Sequence, residues 1–275
     1  MTNLNDNRSV WRFCLVAVLA LGLLACASRP PADDPEAIAE WEETNDPYEP
    51  FNRAMFDVNL TLDRWLFRPV AEGYRWLLPD FLRDAIHNVL ANAGEPVNFF
   101  NSLLQGDFDR AGTALGRLAI NTTIGVGGMF DFAGSEFDLQ PIDEDFGQTL
   151  AIWGAEDDGG YLMLPILGPS SVRDGMGRGV DIFLDPLTYV LANSSDGTWI
   201  GLSVALVSGV DQRERTIDIL DEIERTSVDL YAAIRSLYRQ RRVDLINNGE
   251  PGLDVNPFFS DSLEYLDDSE LTYVD

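Results

Sequence analysis

The sequence predicts an all-α fold: one compact domain of short helices completed by a single long C-terminal helix. Apolar residues recur at the 3.6-residue helical period, Pro and Gly punctuate the chain at short intervals, and alternating strand patterns are absent.

Asp46–Pro47 starts the first helix, which places Phe51, Met55, Val58, Leu62, Trp65 and Leu66 on one face. Pro69 opens a short helix through Leu78. Pro79–Asp80 starts another, with Phe81, Leu82, Ala85, Ile86, Val89 and Leu90 inward and Gly94 as its C-cap. Pro96 leads the next, which Gly106 ends. Asp107 can N-cap a helix carrying Phe108, Ala111, Leu115, Leu118 and Ala119 up to Gly125. Phe146–Trp153, a Ser170-capped helix to Leu184, and Pro186–Ala192 follow. The long helix is expected from about Val210 to about Ile246, with Ile217, Leu220, Ile223, Val228, Tyr231, Ile234 and Tyr238 as a narrow stripe.

The N-terminus has a separate role. Arg8 and Arg12 precede the apolar run Phe13–Ala25, which has signal-peptide length and falls short of the ~20 residues that span a bilayer. It ends in Leu-Leu-Ala-Cys, which resembles the bacterial lipoprotein processing box. That resemblance implies cleavage after residue 25 and acylation of Cys26; Ala27 at the next position implies sorting to the outer membrane. Residues 26–45 read as a lipidated flexible tether, residues 46–250 as the helical domain and residues 251–275 as an acidic disordered tail.

The chain holds 46 acidic and 19 basic residues, and every basic one is Arg. Cleavage leaves 17 arginines and 45 acids, a net charge of −28. Such a chain repels nucleic acid, and its attachment to anionic headgroups must be apolar or covalent. With Cys14 removed and Cys26 acylated, no free thiol remains for catalysis.

Other chemistry is equally sparse. His87 is the one His and sits mid-helix among apolar neighbours, where a structural role fits best. HExxH, GxSxG and CxxC motifs are missing. The acidic stretches 136–147 and 154–160 lack EF-hand spacing and read as solvated loops. An enzyme is not expected, nor a metal, nor any cofactor beyond the lipid on Cys26. The glycine-rich segment INTTIGVGGMFDFAG (120–134) has no Lys for a phosphate loop, and a helix rather than a strand precedes it. It reads as a bendable apolar joint.

No mature segment reaches the ~18 consecutive apolar residues of a spanning helix. Taken singly, each apolar stripe is read as packing into an ordinary core. Taken together on a lipid-anchored chain, the same stripes would suit lying within one leaflet.

Several phrases, in order, resemble one family: NDPYEPFNRAMFDVN (45–59), RPVAEGYRWLLP (68–79), NVLANAGEPVNFFNSLLQGDF (88–108), INTTIGVGGMFDFA (120–133), FGQTLAIWG (146–154), LPILGPSSVRDGMG (164–177) and RRVDLINNGE (241–250). This set resembles the VacJ/MlaA outer-membrane lipoproteins. The resemblance implies a ring of helices in the inner leaflet of the outer membrane, beside porin trimers, with an amphipathic channel. Misplaced phospholipid would leave the outer leaflet through it and pass to a periplasmic carrier protein that feeds an inner-membrane ABC transporter. The alternative is a non-transporting envelope scaffold that binds porins. Carried over by motif, the residues of interest are Cys26 for lipidation, Asp46, Pro47, Phe51, Asn52 and Arg53 in the first motif, and Gly125, Gly127 and Gly128 as a hinge beside the channel. The absence of Lys and the long acidic tail depart from the family pattern.

Overall fold

A computed structural model describes residues 46–155 and 160–248 of the chain. The expected signal peptide (1–25), the expected lipidated tether from Cys26 and the expected acidic tail (251–275) lie outside the described residues.

The described chain is helical apart from one small hairpin. Helix α1 (Glu49–Leu62) runs through a π-helical turn (Asp63–Phe67) directly into α2 (Arg68–Leu77). Pro69 was expected to open a short helix through Leu78, and α2 has Pro69 in its first turn, although the wide turn joins it to α1 without a break. Pro69 has no N–H for the i−4 carbonyl, and the turn absorbs the misfit by bonding the Arg68 N–H to the Asp63 carbonyl, five residues back.

Helix α3 (Asp80–Gln105) is the longest and passes through both Gly94 and Pro96. The expected stop at Gly94 fails because α3 packs along α4 (Phe108–Thr123), where Asn92 and Glu95 are bound on either side of that glycine. Gly106, in the left-handed region at φ +82°, ends α3, and the Asp107 side chain caps α4 by accepting from the Arg110 N–H.

Short α5 (Phe132–Phe137) and α6 (Phe146–Ile152) lead to an antiparallel hairpin, β1 (Tyr161–Leu164) with β2 (Gly168–Ser171). Strands were not expected. Tyr-Leu-Met-Leu is apolar throughout and Gly-Pro-Ser-Ser has little β propensity, so neither shows alternation in sequence. Alternation exists only in burial: Tyr161 and Met163 face inward. Helix α7 (Val172–Leu184) is capped by Ser171, one residue beyond the expected cap, and α8 spans Pro186–Ala192.

The single long C-terminal helix is corrected to three: α9 (Gly197–Arg215), α10 (Ile217–Thr226) and α11 (Leu230–Ile246). The Thr216 hydroxyl bonds back to the Gln212 and Arg213 carbonyls at the first break. Asp229 makes the second by capping α11 at the Ala232 N–H.

Polarity in this fold is inverted. Among the described residues the buried apolar ones are five alanines (Ala71, Ala85, Ala111, Ala114, Ala133) with Tyr161, Met163, Ile217 and Tyr231. Buried beside them are Asn52, Glu95, Asn101, Arg117, Asn121, Glu144, Gln148, Asp174, Asp211 and Glu214. The first helix shows the reversal most plainly. Phe51, Val58, Trp65 and Leu66 were expected to pack inward as one face; all four are exposed, and Asn52 is wholly buried.

Candidate functional site

Three features stand out: an apolar outer surface, a charge-paired interior and a clasp that joins the two ends of the described chain. On the outside, Trp65 and Trp76 are more than four-fifths exposed, and Phe81, Phe183, Val190, Trp199 and Leu206 project from other helices. Soluble monomers rarely expose so much large apolar surface. No helix among the described residues is long and apolar enough to cross a membrane.

Inside, charged groups are matched rather than avoided. Arg117 and Glu95 face each other across α4 and α3 at 2.6 Å, both almost fully buried. Arg117 also donates to the Leu139 carbonyl at 2.6 Å and to Asp131 at 3.3 Å. Burial pushes the Glu95 carboxyl above its ordinary value, against the pull of this guanidinium. Glu144, expected in a solvated loop, is buried and takes Arg110 and Gln105. Asp145 caps α6 and pairs with Arg242, which also reaches Asp174 at 2.8 Å. His87 Nδ1 lies 2.8 Å from the buried Asp211, tying α3 to α9. Among the described residues, no cluster of His, Cys, Asp and Glu could hold a metal ion.

The clasp contains most of the first motif. The Asn52 amide acts as a strand edge: its Nδ2 donates to the Tyr161 carbonyl at 2.9 Å, and its Oδ1 accepts from the Met163 N–H at 2.8 Å. Asn59, two turns on, repeats this with Leu164 and Ile166. Asn52 also donates to Asp46, whose other carboxylate oxygen accepts from the Tyr231 hydroxyl and from Arg235 at 3.2 Å. Arg53 forks onto Asp229 and stacks over the Tyr231 ring at 4.4 Å. Pro47 lies beside Gly160, where an added Cβ would come within 3.2 Å. Phe51 points away and is exposed.

Beyond Arg53 the clasp continues as an antiparallel ladder. Arg64 meets Glu224, Arg68 forks onto Asp221 at 2.8 Å on both arms, and Arg75 meets Asp218 at 3.1 Å. Guanidinium suits this geometry because its planar fork matches a carboxylate, which a lysine ammonium does not.

The glycine-rich turn is built from different partners and shares none with the clasp. Val126, Gly127 and Gly128 lie in succession at φ +56°, +71° and +93°. The Gly128 N–H closes back on the Asn121 carbonyl at 2.8 Å. A Cβ on Gly125 would sit 2.3 Å from the Phe130 carbonyl oxygen, and one on Gly128 would sit 2.7 Å from Asn92 Cβ. Asn121 then locks the returning chain by donating to Asp131 and accepting from the Ala133 N–H. The turn presents Ile124, Val126 and Phe130 outward. Sequence reasoning did not single out Glu95, Arg117, Asn121 or Arg235, and gave Tyr231 only a place in an apolar stripe. Nothing local marks them, because their partners lie on other elements.

Comparison with known proteins agrees with these features. The family model described as MlaA lipoprotein matches residues 44–244. The intermembrane phospholipid transport system lipoprotein MlaA of Escherichia coli is 33% identical over 248 residues, which cover 88% of this chain and 92% of that one. An uncharacterized protein of Rickettsia prowazekii is 36% identical over 205 residues, covering 74% and 79%. A solved structure concerning the structural basis for maintenance of bacterial outer membrane lipid asymmetry matches with a TM-score of 0.65 and 34% identity. That match covers 74% of this chain and all of the other. With the family pattern running through most of its length, the chain belongs to the MlaA lipoprotein family.

Proposed function

We propose that this chain is an outer-membrane lipoprotein of an intermembrane phospholipid transport system, anchored through Cys26. Its helices lie in the periplasmic-side leaflet and close into a ring around an amphipathic channel. Misplaced phospholipid leaves the outer leaflet through that channel, beside porin trimers, and passes to a periplasmic carrier feeding an inner-membrane ABC transporter. The turn at Gly125, Gly127 and Gly128 is the hinge of this movement. No bond is made or broken, so no catalytic group is needed.

The observation that carries the reading is the inverted polarity. Trp65, Trp76 and Trp199 lie outside, while Asn101, Gln148, Arg117 and Glu95 lie inside. An apolar exterior is favourable against acyl chains, and polar groups inside are tolerated because they are paired with one another. Helices too short to span can still bury an apolar face several ångströms into one leaflet.

The test is deletion of the gene followed by complementation. Loss of the protein is expected to raise outer-leaflet phospholipid and detergent sensitivity, with wild-type chain restoring both. Trp65→Glu/Trp76→Glu chain is expected to restore neither. Unchanged lipid asymmetry in the deletion strain, together with failed porin assembly, would reject transport in favour of the scaffold.

A further inference from the structure

Helix α11 is the most basic element among the described residues. Arg235, Arg239, Arg241 and Arg242 stand against Asp244 alone, in a chain whose net charge is −27. Arg235, Arg239 and Arg242 follow at i, i+4 and i+7 and so share one helix face with Tyr231 and Tyr238. Each of these arginines is engaged. A guanidinium nevertheless takes more than one carboxylate, as Arg242 does with Asp145 and Asp174.

The chain enters the fold on this face. Asp46, the first described residue, has its side chain 1% exposed and accepts from Arg235 at 3.2 Å, from the Tyr231 hydroxyl and from Asn52 at 2.8 Å. The residues before Asp46 therefore leave from the arginine face. Residues 33–45, DDPEAIAEWEETN, carry six carboxylates and no basic group. Glu43 lies three residues upstream of Asp46, a reach of at most ~11 Å. Arg239 stands one helical turn, ~6 Å, beyond Arg235. Carboxylates held this close have a high effective concentration at the guanidinium groups. The same place has a second need. Tyr161 packs edge-on against Tyr231 and Tyr238, and its buried hydroxyl, in the field of Asp46, Arg235 and Arg239, has no acceptor among the described residues.

We infer that residues 33–45 dock along the arginine face of α11, with the carboxylates nearest Asp46 on Arg235 and Arg239. Elsewhere a strongly acidic chain repels such a segment. The docking stands apart from the transport reading; its consequence rests on acylation of Cys26. With residues 33–45 held down, the free chain between Cys26 and the body shrinks from residues 26–45 to residues 26–32. Its greatest reach falls from about 70 Å to about 25 Å. The acidic half of the tether thus becomes a latch that holds the domain close to the leaflet carrying its anchor.

The experiment follows amide hydrogen exchange by mass spectrometry in full-length, detergent-solubilised protein at ~50 mM and ~500 mM salt. Exchange in residues 33–45 is expected to be about tenfold slower than in the free peptide at low salt, and to approach the free rate at high salt. Neutralising Asp33, Asp34, Glu36, Glu40, Glu42 and Glu43 to their amides should remove the slowing; all six lie outside the helical domain, so its melting point should hold. Arg239→Gln should release residues 40–45 first. Cys26→Ser should keep the slowing, which separates docking from the anchor. Free-peptide exchange in the wild type at low salt overturns the proposal. So does slowing that ignores both salt and the six amides, which would mean apolar docking through Ile38 and Trp41 or shelter by the detergent. Salt-sensitive slowing in residues 254–270 instead of 33–45 would give the arginine face to the acidic tail and overturn it as well.

Discussion

Arg117→Ala is the sharpest test of the charge-paired interior. The substitution removes the partner of Glu95, a buried carboxylate whose one other side-chain donor is Asn98 at 3.2 Å. It also strips the Leu139 carbonyl of its donor. Breaking a buried ion pair from one side costs about 3–5 kcal/mol, because the remaining charge keeps its desolvation penalty. In a domain of this size each kcal/mol moves the melting point by about 2–4 °C, so a fall of roughly 10 °C is expected. The assay is thermal unfolding of solubilised protein followed by tryptophan emission. The pH dependence adds a second constraint. Burial already raises the Glu95 carboxyl, and losing Arg117 raises it further. A carboxyl raised on folding contributes stability below its unfolded value, and that contribution is lost as pH rises through its folded value. The variant's deficit should therefore shrink as pH falls from neutrality toward ~4.3, the ordinary glutamate value. Glu95→Gln in the Arg117→Ala background should recover part of the stability at neutral pH. A melting point within ~2 °C of wild type, or a deficit indifferent to pH, would refute the reasoning.

Other outcomes follow from the same contacts. Gly125→Ala should destabilise more than Gly127→Ala by melting point. The first meets a backbone oxygen at 2.3 Å, whereas the second costs only a left-handed alanine, about 1 kcal/mol. Asn52→Ala should cost about 1–3 kcal/mol by leaving buried hairpin groups unpaired, and should speed hydrogen exchange at the Met163 amide. The hydrogen bond from Arg53 holds Asp229 below its ordinary value. Its contribution is present above the unfolded value and lost as pH falls through the folded one, in the region below ~4. Faster hydrogen exchange at the Tyr231 and Ala232 amides should report clasp opening in that window, and Asp229→Asn should already show it at neutral pH.

Much of the helical order was legible because helix ends are local events. Asp107 capping α4 and Pro186 opening α8 depend on residues within one turn. Gly94 and Pro96 misled because Glu95, between them, pairs with Arg117, 22 residues away. The apolar stripe of α1 was legible as a stripe, but periodicity does not say whether water, core or lipid lies opposite. Only the burial of Asn52 and exposure of Phe51 and Trp65 resolve its direction. The first motif was recognisable from its phrase alone. Its geometry was not, since the strand edge that Asn52 completes comes from residues more than a hundred positions away.

The arginine ladder sets how this molecule meets alkali. Lysine ammonium groups lose their charge near pH ~10.4, whereas guanidinium keeps it beyond pH ~12. A carbonate wash at pH ~11 falls between those limits. Arg53, Arg68 and Arg75 would keep their carboxylate partners through it, and the two ends of the described chain would leave the wash still fastened together.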